Sequence, residues 1–214
     1  MTLTNETYNF LKHKIVSLEY PPNCVINEAT LVSELKIGRT PIREALQRLE
    51  RDKLVTIMPR RGTFVTEISL SDLPQIFDNR ILLESYIAKL ASQRGTPEQW
   101  DKMELILEKI TAKGESATLE ELVQADRECH EIMFAVANQK YLHDTLIMLY
   151  AQTNRLWYAY TPQTTLMQLA LDDHWAILAA LRDKNSDLAS ELLHGHIHKI
   201  RHEVQAVMMA ELTA

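Results

Sequence analysis

Four residues beyond position 120 carry the side chains that bind transition metals. Asp126 and His130 lie four positions apart, so on a helix they share one face. The apolar residues around them follow helical spacing, and the same is true around His174 and His196. Burying three imidazoles and a carboxylate without partners is costly, and a divalent cation removes that cost by taking them as ligands. The pattern predicts a metal site formed by Asp126, His130, His174 and His196.

Other interpretations of these histidines stay open. A single histidine on an apolar face is more often a hydrogen-bonded core residue than a ligand, whereas three of them with an aspartate favour a metal. His194, His198 and His202 fall on a polar stripe that we expect to face solvent, which leaves only His196 of this segment for the buried site. Imidazoles suit several transition metals, and the bound ion follows metal availability and the general affinity order, so zinc is the expected occupant.

Long helices must position these ligands. Glycine and proline become rare after residue 66, and apolar residues recur with helical periodicity. This pattern predicts helices near 70–93, 97–113, 118–137, 139–160, 165–183 and 185–210, with breaks such as Thr161-Pro162 between them. The predicted fold class is mainly α, with an all-helical bundle over residues 69–214.

A basic amphipathic helix precedes this bundle. Residues 39–46, RTPIREAL, open a helix for which Thr40 is the expected N-cap and Pro41 the expected first residue. Its apolar residues share one face, and Arg39 and Arg43 lie on others. Arginines in such positions are often a solvated surface; the alternative is contact with a DNA groove.

The surrounding elements are those of a winged helix-turn-helix domain, predicted over residues 1–68. Helices are predicted near 8–18 and 28–35, and two short β-rich runs are joined by a basic loop at 59–62 that we interpret as the wing. Residues 1–66 carry ten Lys or Arg and seven Asp or Glu, whereas the rest of the chain carries thirteen and twenty-two. The positive charge therefore lies in the predicted DNA-binding part, although the whole chain is acidic.

Residues 38–49, GRTPIREALQRL, followed by 59–65, PRRGTFV, resemble the signature of the GntR family of bacterial transcription regulators. By position, the resemblance implies DNA contacts from Arg39, Thr40, Arg43 and Gly62. Lys36 stands where the family usually has glycine. We expect Lys36, together with Arg61 in the wing, to contact phosphate.

The helical part resembles the FCD effector-binding domain of the FadR-like branch, in its VanR-like subgroup. Many members carry a D-x3-H motif and two later histidines, which Asp126, His130, His174 and His196 match in order and spacing. The resemblance implies a bound zinc, nickel or similar ion with a small organic acid beside it. It also implies a homodimer on a pseudo-palindromic operator of double-stranded DNA, hence a metabolite-responsive regulator expected to repress until the acid binds.

Three mid-helix residues are candidates for binding the far end of such an acid: Arg80, Asn154 and Arg155. For Arg80 the alternative is an intrahelical ion pair with Glu84. For the other two the alternative is a surface or dimer contact. Because four protein ligands leave positions open on an ion that accepts five or six, the acid could complete the coordination.

Two other function classes are kept as alternatives. One is a metalloenzyme whose Asp/His3 site activates water, with the winged helix as a DNA-targeting module, although catalytic zinc sites usually have three protein ligands and a positioned base. The other has a purely structural metal. No apolar run approaches membrane-spanning length, residues 1–6 lack signal-peptide features, and Cys24 and Cys129 make no disulfide framework, so a cytoplasmic protein is expected.

Overall fold

The computed structural model describes residues 2–160 and 164–212, without the side chains of residues 70, 164–170, 211 and 212. The chain packs into two units. The first comprises the chain up to Leu70 together with Ala151–Ala159, and the second comprises Ser71–Tyr150 with the chain from Tyr160 onward. The predicted division near residue 68 differs from this arrangement at one segment, 151–159, because helical periodicity does not show which unit a helix face packs against.

The first unit contains three helices and three strands in its N-terminal part: α1 (Leu3–Val16), β1 (Val25–Ile26), α2 (Glu28–Leu35), α3 (Arg39–Arg51), β2 (Val55–Met58) and β3 (Gly62–Val65). The α1 helix begins at Leu3 rather than near residue 8, because the Thr2 side chain accepts a hydrogen bond from the Asn5 amide. The core is apolar and includes Leu11, Ile15, Leu31, Ile42, Leu46 and Leu49.

The prediction for the start of α3 is wrong in one detail. The helix begins at Arg39 with Gly38 as its N-cap, so Thr40 does not cap it and Pro41 is its third residue. Glycine is an accepted N-cap. A proline is tolerated this early because the first amides of a helix have no intrahelical acceptor.

The strands form one antiparallel sheet in the order β1-β3-β2. The β2–β3 hairpin pairs Met58 with Gly62 across the predicted wing loop, and Val55 with Val65 at its other end. The two-residue strand β1 adds to the free edge of β3, with Val25 opposite Phe64. Sequence pattern did not reveal β1, because two residues are too few to show alternation.

The remaining helices are α4 (Leu73–Arg94), α5 (Pro97–Lys113), α6 (Leu119–Ala137), α7 (Lys140–Tyr160), α8 (Thr164–Arg182) and α9 (Ser186–Leu212). Within the second unit, α4 packs against α6 and α9, and α8 packs against the same two helices. The predicted mainly-α fold class is confirmed. The predicted break at Thr161-Pro162 lies outside the described residues. In the described ranges, no helix combines the length with the apolarity that a membrane crossing needs.

Candidate metal centre and DNA-binding surface

The structure brings the four predicted metal ligands together inside the second unit. Helix α6 supplies Asp126 and His130, α8 supplies His174 and α9 supplies His196, and each residue is at most 2% exposed. One ligand atom from each lies within 4.8 Å of the other three. The sequence periodicity that buries the apolar faces of these helices therefore also converges their polar residues.

The spacing of the ligand atoms is close to that of a coordination shell. Asp126 Oδ1 lies 3.6 Å from His174 Nε2 and 3.8 Å from the Nε2 atoms of His130 and His196. Ligands bound to tetrahedral zinc at 2.0–2.1 Å are about 3.3 Å from each other. Small inward movements of the side chains would therefore close a shell around one ion.

Unsatisfied polar atoms test whether a metal fits this site. Within the described part of the chain, Asp126 Oδ1 and the Nε2 atoms of His130 and His196 are buried without a hydrogen-bond partner. Buried polar atoms are almost always satisfied, and leaving them unsatisfied costs free energy. A donor set of three imidazoles and a carboxylate suits zinc, nickel and copper. The residues therefore fit a divalent transition-metal ion.

An outer ring of residues orients three of these ligands through the atoms that face away from the cluster. Glu84 Oε2 lies 2.5 Å from His130 Nδ1, and Asp173 Oδ2 lies 3.4 Å from His196 Nδ1. The Tyr150 hydroxyl donates to Asp126 Oδ2. Outer partners of this kind fix ring orientation and tautomer. Sequence reasoning did not assign these three residues to the site, because such pairings join helices far apart in the chain.

Burial and charge set the protonation states that metal binding requires. Burial alone would raise the pKa of Glu84, but Arg80 and His130 lower it to about 2. An ionised Glu84 can only accept, so His130 Nδ1 must donate; in the neutral ring, the lone pair then lies on Nε2, which faces the cluster. Burial lowers the pKa of His196, which favours the neutral ring.

In the Tyr150–Asp126 contact, the surroundings favour an ionised carboxylate and a protonated hydroxyl. Burial would raise the pKa of Asp126, but the three surrounding histidines lower it. Burial and the nearby Asp126 charge raise the pKa of the Tyr150 hydroxyl well above its ordinary value. Tyr150 therefore stays protonated and donates a hydrogen bond to Asp126 Oδ2. The other carboxylate oxygen, Oδ1, remains available as a ligand.

Arg80 lies in contact with this outer ring. Its Nε donates to Glu84 Oε1 at 2.6 Å, so the intrahelical ion pair considered from sequence is present. Its guanidinium carbon lies 4.3 Å from the centre of the Tyr150 ring. Among the described residues, its buried Nη2 has no hydrogen-bond partner. The ion pair therefore occupies only part of the guanidinium.

Asn154 and Arg155 lie in the first unit, whereas the second unit forms the histidine cluster. Arg155 donates from Nη1 to Thr66 Oγ1 at 3.0 Å and from Nη2 to the Thr66 carbonyl at 2.5 Å. Burial lowers the pKa of Arg155 to about 10. Asn154 is 4% exposed. Their assignment to effector binding stays a prediction.

The six predicted DNA contacts lie on exposed parts of the first unit. Helices α2 and α3 are joined by three residues, as in a helix-turn-helix. The residues concerned are Lys36 in the turn, Arg39, Thr40 and Arg43 in the first half of α3, and Arg61 and Gly62 in the wing hairpin, and all are exposed.

Two of these positions have a left-handed backbone. Lys36 has a φ of 54° at the end of α2, which is the conformation that glycine, the usual family residue there, adopts without strain. Gly62 has a φ of 111°. Arg43 does not extend freely, because its Nε donates to Glu28 Oε2 at 2.9 Å. The predicted DNA-binding residues thus lie on helix α3, on the turn before it and on the β2–β3 hairpin.

A winged helix-turn-helix followed by a helical domain is the architecture of a DNA-binding regulator. Residues 3–65 match the family described as bacterial regulatory proteins, gntR family, and residues 75–199 match the FCD domain. The chain therefore belongs to the GntR family of transcription regulators and carries an FCD domain. It is a regulator rather than an enzyme, so the metalloenzyme alternative is wrong.

Several known regulators are similar over almost the whole chain. The HTH-type transcriptional repressor RspR of Escherichia coli strain K12 is 23% identical, covering 96% of this chain and 90% of its own. The HTH-type transcriptional repressor GlaR of the same strain is 28% identical, covering 92% and 94%. The structure of E. coli McbR/YncC superposes with a TM-score of 0.85 at 21% identity, covering 96% and 98%. This last likeness shows the fold alone.

Proposed function

We propose that this protein is a metabolite-responsive repressor whose helical domain binds a divalent metal and a small organic acid, and that the acid modulates operator binding. The observation that carries the proposal is the buried cluster of four ligand atoms within 4.8 Å. Asp126, His130, His174 and His196 would hold the ion, with zinc expected and nickel an alternative. When bound, the ion supplies open coordination positions for a carboxylate.

Arg80 is the residue we assign to the organic acid. It is 1% exposed, and its Nη2 has no hydrogen-bond partner among the described residues. Glu84 links Arg80 to His130: its Oε1 accepts from Arg80, and its Oε2 lies beside His130 Nδ1. An arginine next to a metal centre favours a carboxylate ligand, because the guanidinium binds carboxylates through parallel hydrogen bonds. Arg155 is less suited, since both of its terminal nitrogens already donate to Thr66.

The DNA side of the proposal rests on the exposed residues Lys36, Arg39, Thr40, Arg43, Arg61 and Gly62. We propose that a homodimer presents two such surfaces to the half-sites of a pseudo-palindromic operator, in the cytoplasm. Repression is favoured because two similar regulators, RspR and GlaR, are named repressors. Arg39 and Arg43 would contact bases, and Lys36 and Arg61 would contact phosphate.

The proposal is tested by measuring how carboxylic acids change DNA binding. An operator is first selected from a random double-stranded pool, and its affinity is then measured by fluorescence anisotropy with a panel of mono-, di- and tricarboxylates. We expect one class of acid to change the affinity of the metal-loaded protein by about 5- to 150-fold. Chelation of the metal should abolish the effect, and so should Arg80→Lys, which keeps the charge but loses the planar fork.

A matched control is Arg127→Lys, because Arg127 also pairs with a glutamate four residues later, Glu131, but on the surface. This variant should respond to the acid like the wild type. A response that survives both chelation and Arg80→Lys would contradict the proposal. If chelation lowers the melting temperature but leaves the acid response intact, the metal is purely structural.

A further inference from the structure

Three histidines outside the buried cluster lie along one exposed face of α9. His194, His198 and His202 are spaced four residues apart, and all three are exposed. Residues four apart on a helix are neighbours on its surface, and two histidines at this spacing form the zinc-binding pair of H-E-x-x-H helices. The stripe therefore has the donor type and the spacing of a metal site.

Ring geometry distinguishes the two pairs in this stripe. The rings of His198 and His202 have centres 4.6 Å apart and planes inclined by 62°. The rings of His194 and His198 have centres 6.3 Å apart and are nearly parallel, at 14°. Two imidazoles bound at 2.0–2.1 Å to one ion, at right angles or tetrahedrally, have ring centres about 4.5–5.2 Å apart. Only the His198–His202 pair falls in this range.

The buried centre provides an internal comparison. Its three histidine rings have centres separated by 4.6 Å (His174–His196), 5.1 Å (His130–His174) and 5.5 Å (His130–His196). The surface pair His198–His202 thus has the same separation as the closest pair of the buried cluster. The 6.3 Å separation of His194 and His198 exceeds all of these values.

From this geometry we infer that His198 and His202 form a second, solvent-exposed site for a divalent transition metal. Two imidazole ligands favour copper, nickel and zinc over calcium and magnesium, with copper bound most tightly. The site has two protein ligands, so water or an external ligand fills the remaining positions. It does not depend on the buried centre, because it shares no residue with it.

The neighbouring cations do not oppose an ion at this site. Arg201 Nη1 donates to Asp78 Oδ1 at 2.6 Å. Lys199 lies 3.3 Å from both carboxylate oxygens of Asp173. Both positive charges in this stretch of α9 are therefore paired with carboxylates, which reduces their repulsion of a bound cation.

The experiment uses the full-length, tag-free protein on a resin that presents chelated Ni²⁺ with two open coordination positions. The wild type and His194→Ala should be retained at neutral pH and eluted by imidazole. His198→Ala and His202→Ala should pass through. The first leaves two histidines eight residues apart, and the second leaves only the His194–His198 pair, whose ring centres are 6.3 Å apart. His174→Ala should be retained like the wild type, which separates this proposal from the one for the buried centre.

A titration in solution gives the magnitude. Protein preloaded with one equivalent of Cu²⁺, which fills the four-ligand buried centre first, is titrated with further Cu²⁺ by calorimetry. Loss of either His198 or His202 should weaken this second binding step about a hundredfold, because the second ligand acts at a high effective concentration. His194→Ala should change it by less than about threefold. The inference is overturned if the wild type is not retained on the resin, if His202→Ala is retained, or if His194→Ala is lost equally.

Discussion

Replacing Glu84 by glutamine removes the one negative charge that contacts both Arg80 and the candidate metal ligand His130. One oxygen of Glu84 accepts from Arg80 Nε at 2.6 Å and the other lies 2.5 Å from His130 Nδ1. The Glu84 side chain is completely buried. Glutamine has nearly the same shape, so the substitution tests the charge and the direction of the hydrogen bonds rather than packing.

The stability loss follows from the buried charge. Folding lowers the pKa of Glu84 from 4.5 to about 2, which corresponds to about 3 kcal/mol of stabilisation of the ionised form. Because the folded pKa is lowered, this contribution is present above pH 4.5 and is lost as the pH falls toward 2. Removing one partner of a buried ion pair typically costs about 3–5 kcal/mol. We expect Glu84→Gln to cost about 3 kcal/mol, or about 6–12 °C in melting temperature.

The same substitution should weaken metal binding. If the glutamine oxygen accepts from Arg80, its amide NH2 group faces His130 Nδ1, which must then accept. The proton moves to His130 Nε2, and the ligand loses the lone pair that faces the cluster. Losing an outer partner of a metal ligand typically reduces affinity about 10- to 100-fold. We expect a zinc dissociation constant raised by about that factor.

The assay combines thermal unfolding of the metal-free protein, followed by circular dichroism, with zinc titration against a competing chelator. Glu131→Gln is the matched control, because Glu131 also accepts from an arginine four residues away at 2.6 Å, but both side chains are 37% exposed. It should cost less than about 0.5 kcal/mol and leave zinc affinity unchanged. If Glu84→Gln matches Glu131→Gln in both measurements, Glu84 does not orient His130.

The remaining predictions concern DNA binding. Glu28→Gln removes the carboxylate that pairs with Arg43 at 2.9 Å, so anisotropy should show tighter binding to all DNA sequences at low salt, and weaker binding would contradict an Arg43 that faces DNA. Lys36→Gly removes the strain of a side chain at a φ of 54° and should stabilise the protein by about 1 kcal/mol in denaturant titrations. The same variant should lower the salt slope of DNA binding by about one, and an unchanged slope would exclude a phosphate contact. Gly62→Ala should lose about 1–2 kcal/mol in the same titrations, since its φ of 111° disfavours a side chain; unaltered stability would count against strain there.

The sequence predicted the features that depend on local periodicity. The predicted helices at 97–113 and 118–137 agree with α5 and α6 to within one residue. Threonine capping boxes at Thr96 and Thr118 fix where these helices begin. Asp126 and His130 share the buried face of α6, as a four-residue spacing requires. The burial of each candidate ligand could therefore be predicted from the apolar residues of its own helix.

The features that the sequence did not predict depend on contacts between distant residues. Glu84 appeared only as a partner for Arg80, because nothing local indicates that α4 brings its second oxygen to His130, 46 positions later. Asp173 directly precedes the candidate ligand His174 in the chain, yet its carboxylate lies beside a different one, His196. The hydrogen bonds from the Arg155 guanidinium to Thr66, 89 positions earlier, were likewise not predicted. Periodicity predicts which face of a helix is buried, but not which other element packs against that face.

We propose that Asp126, His130, His174 and His196 hold a metal ion, and the metal content of the purified protein tests this most directly. Tag-free wild type and His174→Ala are washed with a weak chelator, which clears surface ions, and are then analysed by elemental mass spectrometry. We expect about one zinc or nickel ion per chain in the wild type and almost none in the variant. A metal-free wild type, or equal metal in both proteins, would contradict it.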